Sequence, residues 1–222
     1  MKLGEARIAV LAENQYQELE LWYPVLRFRE GGADVVVVGP KTAQMYSSKL
    51  GIPVVSDVAA AALAPDDIDV LVIPGGFAPE AMRKSADVID LVRKVHDGGG
   101  IVAAICHAGW VLASAGIAKG RQLTCVPVIR DDVLAAGAEY IDKPVVRDGN
   151  LITSRLPNDV PVFCAEIIRA ISELDAHRGS GATWPAPGPR ASAAYDVPAR
   201  LVQAPAGRAT ANYTTTSALV GS

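Results

Sequence analysis

The stretch Ile101-Val-Ala-Ala-Ile-Cys-His-Ala-Gly-Trp110 decides the reading of this chain. Five apolar residues lead to Cys106, His107 and Gly109 follow, and Trp110-Val-Leu-Ala-Ser-Ala-Gly116 continues with helical character. A short apolar run that passes into a small-residue helix start reads as buried strand, sharp turn, helix. A cysteine on that turn has its sulfur at a helix N-terminus, where unpaired N–H groups and the positive dipole end favour the thiolate. Ala104 and Ala108 flank Cys106 at the spacing of a nucleophile elbow, with Ala where hydrolase elbows usually carry Gly. A lone cysteine is more often a small buried apolar residue. The strand–Cys-His–helix setting shifts Cys106 toward a reactive role.

Outward from that stretch, strands alternate with helices. Ala6–Ala12 reads as the first strand, and Leu19, Trp22, Tyr23, Leu26 and Phe28 recur at helical spacing until Gly31-Gly32. Pro24 either kinks this helix or marks a late start. Asp34-Val-Val-Val-Val-Gly39 is a β-branched run typical of a strand buried on both faces of a parallel sheet. Residues 43–56 read as two short strands around Leu50-Gly51-Ile52, Val58–Leu63 as a short helix, and Ile68–Ile73 as a third long strand. Ser85 caps a helix through Val88, Leu91, Val92 and Val95. Arg130–Gly137 reads as a short helix, Cys125 as part of a strand, and Asp148-Gly149-Asn150 as a hairpin turn between small strands. Residues 158–174 fit a final helix, with Cys164 on its inner side. The fold class is α/β, a right-handed, doubly wound, mostly parallel sheet sandwiched by helices.

Composition sets the boundaries. Of 222 residues, half are hydrophobic but only 5% aromatic, so the core should be aliphatic. A net charge of −3 gives no reason to expect nucleic acid or an anionic membrane as partner. The charged N-terminal residues do not read as a signal peptide, and no apolar run of about 18 residues, the length a bilayer span needs, occurs in the sequence. Three cysteines without disulfide spacing fit a reducing cytoplasm. Three histidines far apart in sequence argue against a metal site. No dinucleotide or phosphate-loop motif, Cys-x-x-Cys or Gly-x-Ser-x-Gly occurs, so no cofactor is expected. The domain spans 1–176. From His177 the composition turns Ala/Pro/Gly-rich, and 177–222 reads as an extension, either disordered or docked on the domain or a partner subunit through Trp184, Tyr195, Leu201, Val202 and Tyr213.

Sites in open α/β sheets form beyond the carboxyl ends of the strands. Cys106-His107, Pro74-Gly75-Gly76 and Glu20 converge there if the topology holds. The backbone N–H groups of Gly76 and His107 are candidates for an oxyanion hole, since glycine lets a substrate oxygen approach the chain. Glu20, among Leu19, Leu21 and Trp22, reads as a half-buried carboxyl able to donate to a thiolate, or as a plain surface glutamate. His107 and His177 are the candidate general bases. His96, at a helix end, is expected to face solvent or the helix dipole.

Ala104-Ile-Cys-His-Ala-Gly109, Val72-Ile-Pro-Gly-Gly-Phe-Ala-Pro-Glu80 and Glu18-Leu-Glu-Leu-Trp-Tyr-Pro24 resemble the DJ/ThiJ/PfpI superfamily, and most of all its PfpI-type intracellular protease/amidase branch. Asp131-Asp132, Val146-Arg-Asp-Gly-Asn150 and Ser154-Arg-Leu-Pro157 match in order and spacing, and the likeness covers about residues 5–174. The resemblance implies a flavodoxin-like fold, Cys106 as nucleophile in a strained elbow, and Glu20 in contact with its thiol. It implies that His107 pairs with Glu80 of an adjacent subunit, hence a homodimer or homohexamer. It implies peptidase, amidase, glyoxalase III-type or deglycating activity on a small molecule or peptide, and stress protection. Gly75, Phe77, Gln17 and Val126 fall where substrate would bind. Gln17 replaces an acid frequent in the branch, and Val126 replaces the tyrosine of a frequent Ser-Tyr-Pro. Both changes make the pocket less polar.

A cysteine-dependent hydrolase, amidase or glyoxalase-like enzyme is therefore the leading expectation, with a non-enzymatic redox sensor or stress chaperone using an oxidisable Cys106 as the alternative. A class I glutamine amidotransferase shares the elbow but needs a downstream His-x-Glu, whereas the later histidine here sits in His177-Arg178-Gly179.

Overall fold

The apolar runs of the sequence become strands of one seven-stranded sheet in the computed structural model, which describes residues 1–175 and 179–185. In chain order the elements are β1 (Arg7–Leu11), α1 (Glu18–Glu30), β2 (Asp34–Gly39), β3 (Met45–Ser47), β4 (Pro53–Val55), β5 (Val58–Ala59), β6 (Val70–Ile73), α2 (Ala78–Met82) and α3 (Ala86–Asp97). Then come β7 (Ile101–Ile105), α4 (Gly109–Ala115), β8 (Gln122–Leu123), α5 (Arg130–Ala135), β9 (Glu139–Tyr140), β10 (Val145–Asp148), β11 (Leu151–Ser154) and α6 (Val160–Ser172). The sheet order is β10-β11-β7-β6-β1-β2-β5. Every pairing in it is parallel except β10 with β11, the hairpin closed by Gly149 at φ 59°.

The chain moves outward from β1 to β2 and β5, then returns to β6 and moves the other way to β7 and β11. The reversal between β1 and β6 is the topological switch point, where an open α/β sheet offers a crevice at the strands' carboxyl ends. Helices α1 and α6 pack together on the sheet, and α3 packs on α4. The β-branched run of β2 is buried from Val35 to Gly39, and β6 and β7 are buried throughout, as a sheet covered on both faces requires. Each fully buried Val, Ile or Leu contributes roughly 1.5–3 kcal/mol, so these three strands supply much of the driving force.

Local signals are used as their chemistry demands. Ser85 caps α3 by accepting from the Val88 N–H at 3.4 Å. Pro24 lies inside α1, which continues through it; it has no N–H to give the carbonyl of Glu20. Two local expectations are corrected and a third is narrowed. Val58-Ala59 forms β5 beside β2, and only Ala60–Ala62 makes a helical turn of the 3-10 kind, because a place on the sheet edge outweighs alanine's helix preference. Cys125 lies just beyond β8, outside any strand. Of the two alternatives for His96, the solvent-facing one does not hold: its side chain is 14% exposed and bonds Asp97 at 3.0 Å and Arg121 at 3.3 Å, and it sits in the last turn of α3, where the helix dipole acts on it.

Residues 179–185 lie against the domain. Asp67 accepts from the N–H groups of Gly181 and Thr183 and from the Thr183 hydroxyl, and Trp184 Nε1 donates to Asp34 at 2.7 Å. The expectations for His177, Tyr195, Leu201, Val202 and Tyr213 lie outside the described residues. Among the described residues no helix is long and apolar enough to cross a membrane.

Candidate active site

Strand β7 ends at Ile105 and the next residue, Cys106, turns with φ at 63°. A side-chain-bearing residue in the left-handed region is strained and persists only where its surroundings hold it. Cys106–Ala108 then make a 3-10 turn and α4 starts at Gly109. Gly109 is closely packed: a Cβ there would lie 3.1 Å from the side chains of both Ile129 and Val133, which would have to shift to admit it. The elbow read from sequence is present, and it leaves Cys106 only 7% exposed.

Three elements meet at this sulfur. β6 is in register with β7, Ile73 opposite Ala104, so Gly75 falls beside Cys106. An added Cβ on Gly75 would stand 2.7 Å from the Cys106 Cβ and 2.6 Å from Glu20 Oε2. The second glycine, Gly76, has φ at 77° and faces the backbone of Gln15–Gln17 so closely that no side chain fits. From α1 comes Glu20, wholly buried, its Oε2 accepting from the Gly75 N–H at 2.8 Å. It is not a surface glutamate, and it is more buried than the half-buried carboxyl expected.

Glu20 and Cys106 act on each other. Burial raises the Glu20 carboxyl to about 7, against hydrogen bonds from Gly75 and Cys106 that lower it. Burial, and then the negative charge of Glu20, push the Cys106 thiol up to about 12. The backbone N–H groups of Gly76 and His107 face the sulfur and act the other way. The expectation of a thiolate favoured by a helix start therefore needs correction. The strongest influence on the thiol is burial, and α4 is short and offset from Cys106 by the 3-10 turn. Protonating Glu20 removes the opposing charge and turns the carboxyl into a donor, so the pair holds one negative charge more readily than two.

His107 Nδ1 lies 3.3 Å from Cys106 Sγ. Burial, with the charge of Lys49, lowers the imidazole, so it is neutral at pH 7 and able to accept the thiol proton. Its ring is flanked by Trp110, 5.2 Å between centroids, and Phe77, 6.2 Å. Trp110 is fixed by a 2.8 Å bond from Nε1 to Asp132.

Other expected residues fall close by or apart. Val126 donates its N–H to the Cys106 carbonyl at 3.4 Å, at the edge of the site. Gln17 is occupied structurally: its side chain caps α1 by accepting from the Glu20 N–H at 2.9 Å. Glu80 does not meet His107 within the chain; it is exposed on α2 and pairs with Lys84 at 3.4 Å. Lys49 carries a signal the sequence reading missed. It lies between β3 and β4, its Nζ stands 4.6 Å from the centre of the Phe77 ring, and its charge reaches Glu18, Glu20 and His107. Among the described residues no group of three or more His, Cys, Asp or Glu is arranged to hold a metal ion.

The elbow, the glycine pair and the buried glutamate are the features by which the sequence resembled a known superfamily, and the comparison is direct: a sequence model of the DJ-1/PfpI family matches residues 6–170. The chain belongs to the DJ-1/PfpI family. Among its DJ-1/PfpI relatives, an uncharacterised protein of Archaeoglobus fulgidus is 44% identical over 165 residues, which is 74% of this chain and 98% of that protein. A protein of Pyrococcus furiosus named deglycase PfpI is 38% identical over 165 residues, 74% of this chain and 99% of its own. The crystal structure of Drosophila melanogaster DJ-1beta aligns with a TM-score of 0.69 at 35% identity, covering 76% of this chain and 90% of that one. The mostly parallel sheet flanked by helices is the flavodoxin-like fold of this DJ-1/PfpI family.

Proposed function

We propose that this chain is a cysteine-dependent enzyme acting on a carbonyl carbon of a small molecule, with Cys106 as nucleophile. The observation that carries the reading is the convergence on one strained, nearly buried sulfur of an imidazole nitrogen at 3.3 Å, a buried carboxyl with a raised pKa and two backbone N–H groups. Perturbed ionisable groups gathered at the switch point of an α/β sheet mark a reactive site.

In the first step Sγ bonds to the carbonyl carbon, the C=O π pair moves onto oxygen, and the thiol proton passes to His107 Nδ1. The N–H groups of Gly76 and His107 stabilise the oxyanion, and protonated Glu20 supplies the proton that neutralises it. With an aldehyde the adduct is a hemithioacetal. With an amide it is a tetrahedral adduct whose collapse returns the oxygen's proton to Glu20, passes the His107 proton to the departing amine and leaves a thioester for water to hydrolyse. Glu80 of a second copy is proposed to orient His107, making the working unit a homo-oligomer. Its exposure, with only Lys84 as a salt-bridge partner among the described residues, leaves it available.

The deglycase name of the Pyrococcus furiosus relative adds carbonyl adducts of amines to the substrates worth testing. The test is turnover of methylglyoxal, a peptide amide and a glycated amine by wild-type protein and by Cys106→Ser. Loss of activity by about a thousandfold or more on one of them supports the reading. Undiminished turnover by the variant removes it.

A further inference from the structure

One residue joins two loops at the mouth of the site. Tyr16 bridges Ser48 on one side and Gly76 on the other, and its carbonyl accepts from the Lys49 N–H at 3.0 Å. Beside it, Gln15 is held at φ 66° while its carbonyl accepts from the Phe77 N–H at 2.9 Å. On the hairpin side, Glu18 Oε1 accepts from the Leu50 N–H at 2.6 Å, and Ser48 Oγ accepts from the N–H groups of Leu50 and Ile52. Lys49 and Phe77, far apart in sequence, are thus anchored to the same short segment. The Lys49 ammonium is exposed and has no carboxylate within ion-pair distance among the described residues. Phe77 is 52% exposed, and its ring leads to His107 and Trp110. An exposed aromatic ring under a cation, next to a buried nucleophile, has the composition of a ligand-binding lip: apolar surface with one placed charge.

We propose that Lys49 and Phe77 select the substrate, so that the site takes an aryl or otherwise apolar carbonyl compound bearing a carboxylate held apart from the reacting carbonyl by its apolar body. The inference rests on the reading of Cys106 as nucleophile for which carbon reacts, and on the lip alone for what binds. The carboxylate pairs with the Lys49 ammonium, and the apolar body lies on Phe77 and toward Trp110. The carbonyl then reaches Sγ past His107.

Binding is measured without chemistry, on Cys106→Ser protein, by calorimetric titration with 4-formylbenzoate and its neutral partner 4-formylbenzamide. The acid should bind about tenfold more tightly than the amide. Lys49→Met should erase that preference, Lys49→Arg should keep it, and Phe77→Ala should weaken both ligands. Equal affinity for acid and amide in the Lys49-containing protein, or a preference that survives Lys49→Met, overturns the proposal. Because the titration needs no turnover, its failure is separable from a failure of Cys106 as nucleophile, which the activity of Cys106→Ser reports.

Discussion

The Gly75 N–H donates to Glu20 Oε2 at 2.8 Å, joining residues 55 positions apart and fixing the carboxyl beside Cys106. The same closeness makes Gly75 irreplaceable. Gly75→Ala places a Cβ 2.6 Å from Glu20 Oε2 and 2.7 Å from the Cys106 Cβ. Overpacking of this kind costs about 1–3 kcal/mol. Denaturant unfolding should show that loss, with activity falling further because the sulfur and carboxyl are both displaced. Gly116→Ala is the control. It has φ at 75° but nothing within 4 Å, so it carries only the backbone strain and leaves activity intact. Equal turnover by Gly75→Ala and wild type would show that the carboxyl–sulfur geometry is not required.

Glu20 should make the fold less stable than it could be. Its carboxyl is raised from 4.5 to about 7 by burial. A group whose acid form is favoured in the folded state lowers stability once the unfolded chain ionises, starting near pH 4.5 and complete above pH 7. Glu20→Gln keeps the shape and the acceptor for Gly75. The variant should gain about 1–3 kcal/mol over wild type at pH 8, the gain vanishing below pH 4.5. Chemical denaturation across that range reads it directly. A gain independent of pH would mean Glu20 is not the titrating group.

The coupling of Glu20 to the thiol predicts the pH dependence of Cys106 alkylation by iodoacetamide. Below about 7 the carboxyl is protonated and can donate to the sulfur; above it, its charge opposes ionisation of the thiol. The rate–pH profile should therefore show two steps, one near pH 7, and Glu20→Gln should reduce it to one. Identical one-step profiles for both proteins would contradict the coupling.

Asp67 predicts how residues 179–185 are held. Hydrogen bonds from Thr183 and Gly181, with Arg7 nearby, outweigh burial and lower this carboxyl. A lowered carboxyl contributes stability that is present above its unfolded value and is lost as pH falls through the folded one. Asp67→Ala should expose Trp184, seen as a fluorescence shift, and cost about 1–3 kcal/mol through the unsatisfied N–H groups. Unchanged Trp184 emission would show that Asp34 and packing suffice without Asp67.

Much of the frame is legible in sequence because its signals are local. The Val run of β2, the Ser85 cap, the Asp148-Gly149-Asn150 turn and the Cys-His elbow are each set by a few consecutive residues, inside one element or at the join of two neighbouring ones. What escaped depends on pairing between distant segments. Val58-Ala59 looks helical until β2 offers it an edge. His96 reads as facing solvent or the helix dipole until Arg121 arrives from beyond α4. Lys49 has no local signature, since its place at the site depends on Tyr16 bridging two loops.

The central claim is that the Cys106 sulfur bonds covalently to a carbonyl carbon of the substrate. The direct measurement is acid quenching during turnover of the peptide amide, whose thioester survives acid, followed by peptide mass spectrometry. The account predicts one substrate-derived mass on the peptide that contains Cys106, absent in Cys106→Ser. Turnover with that peptide unmodified at every time point, or the same adduct forming on Cys106→Ser, would contradict it.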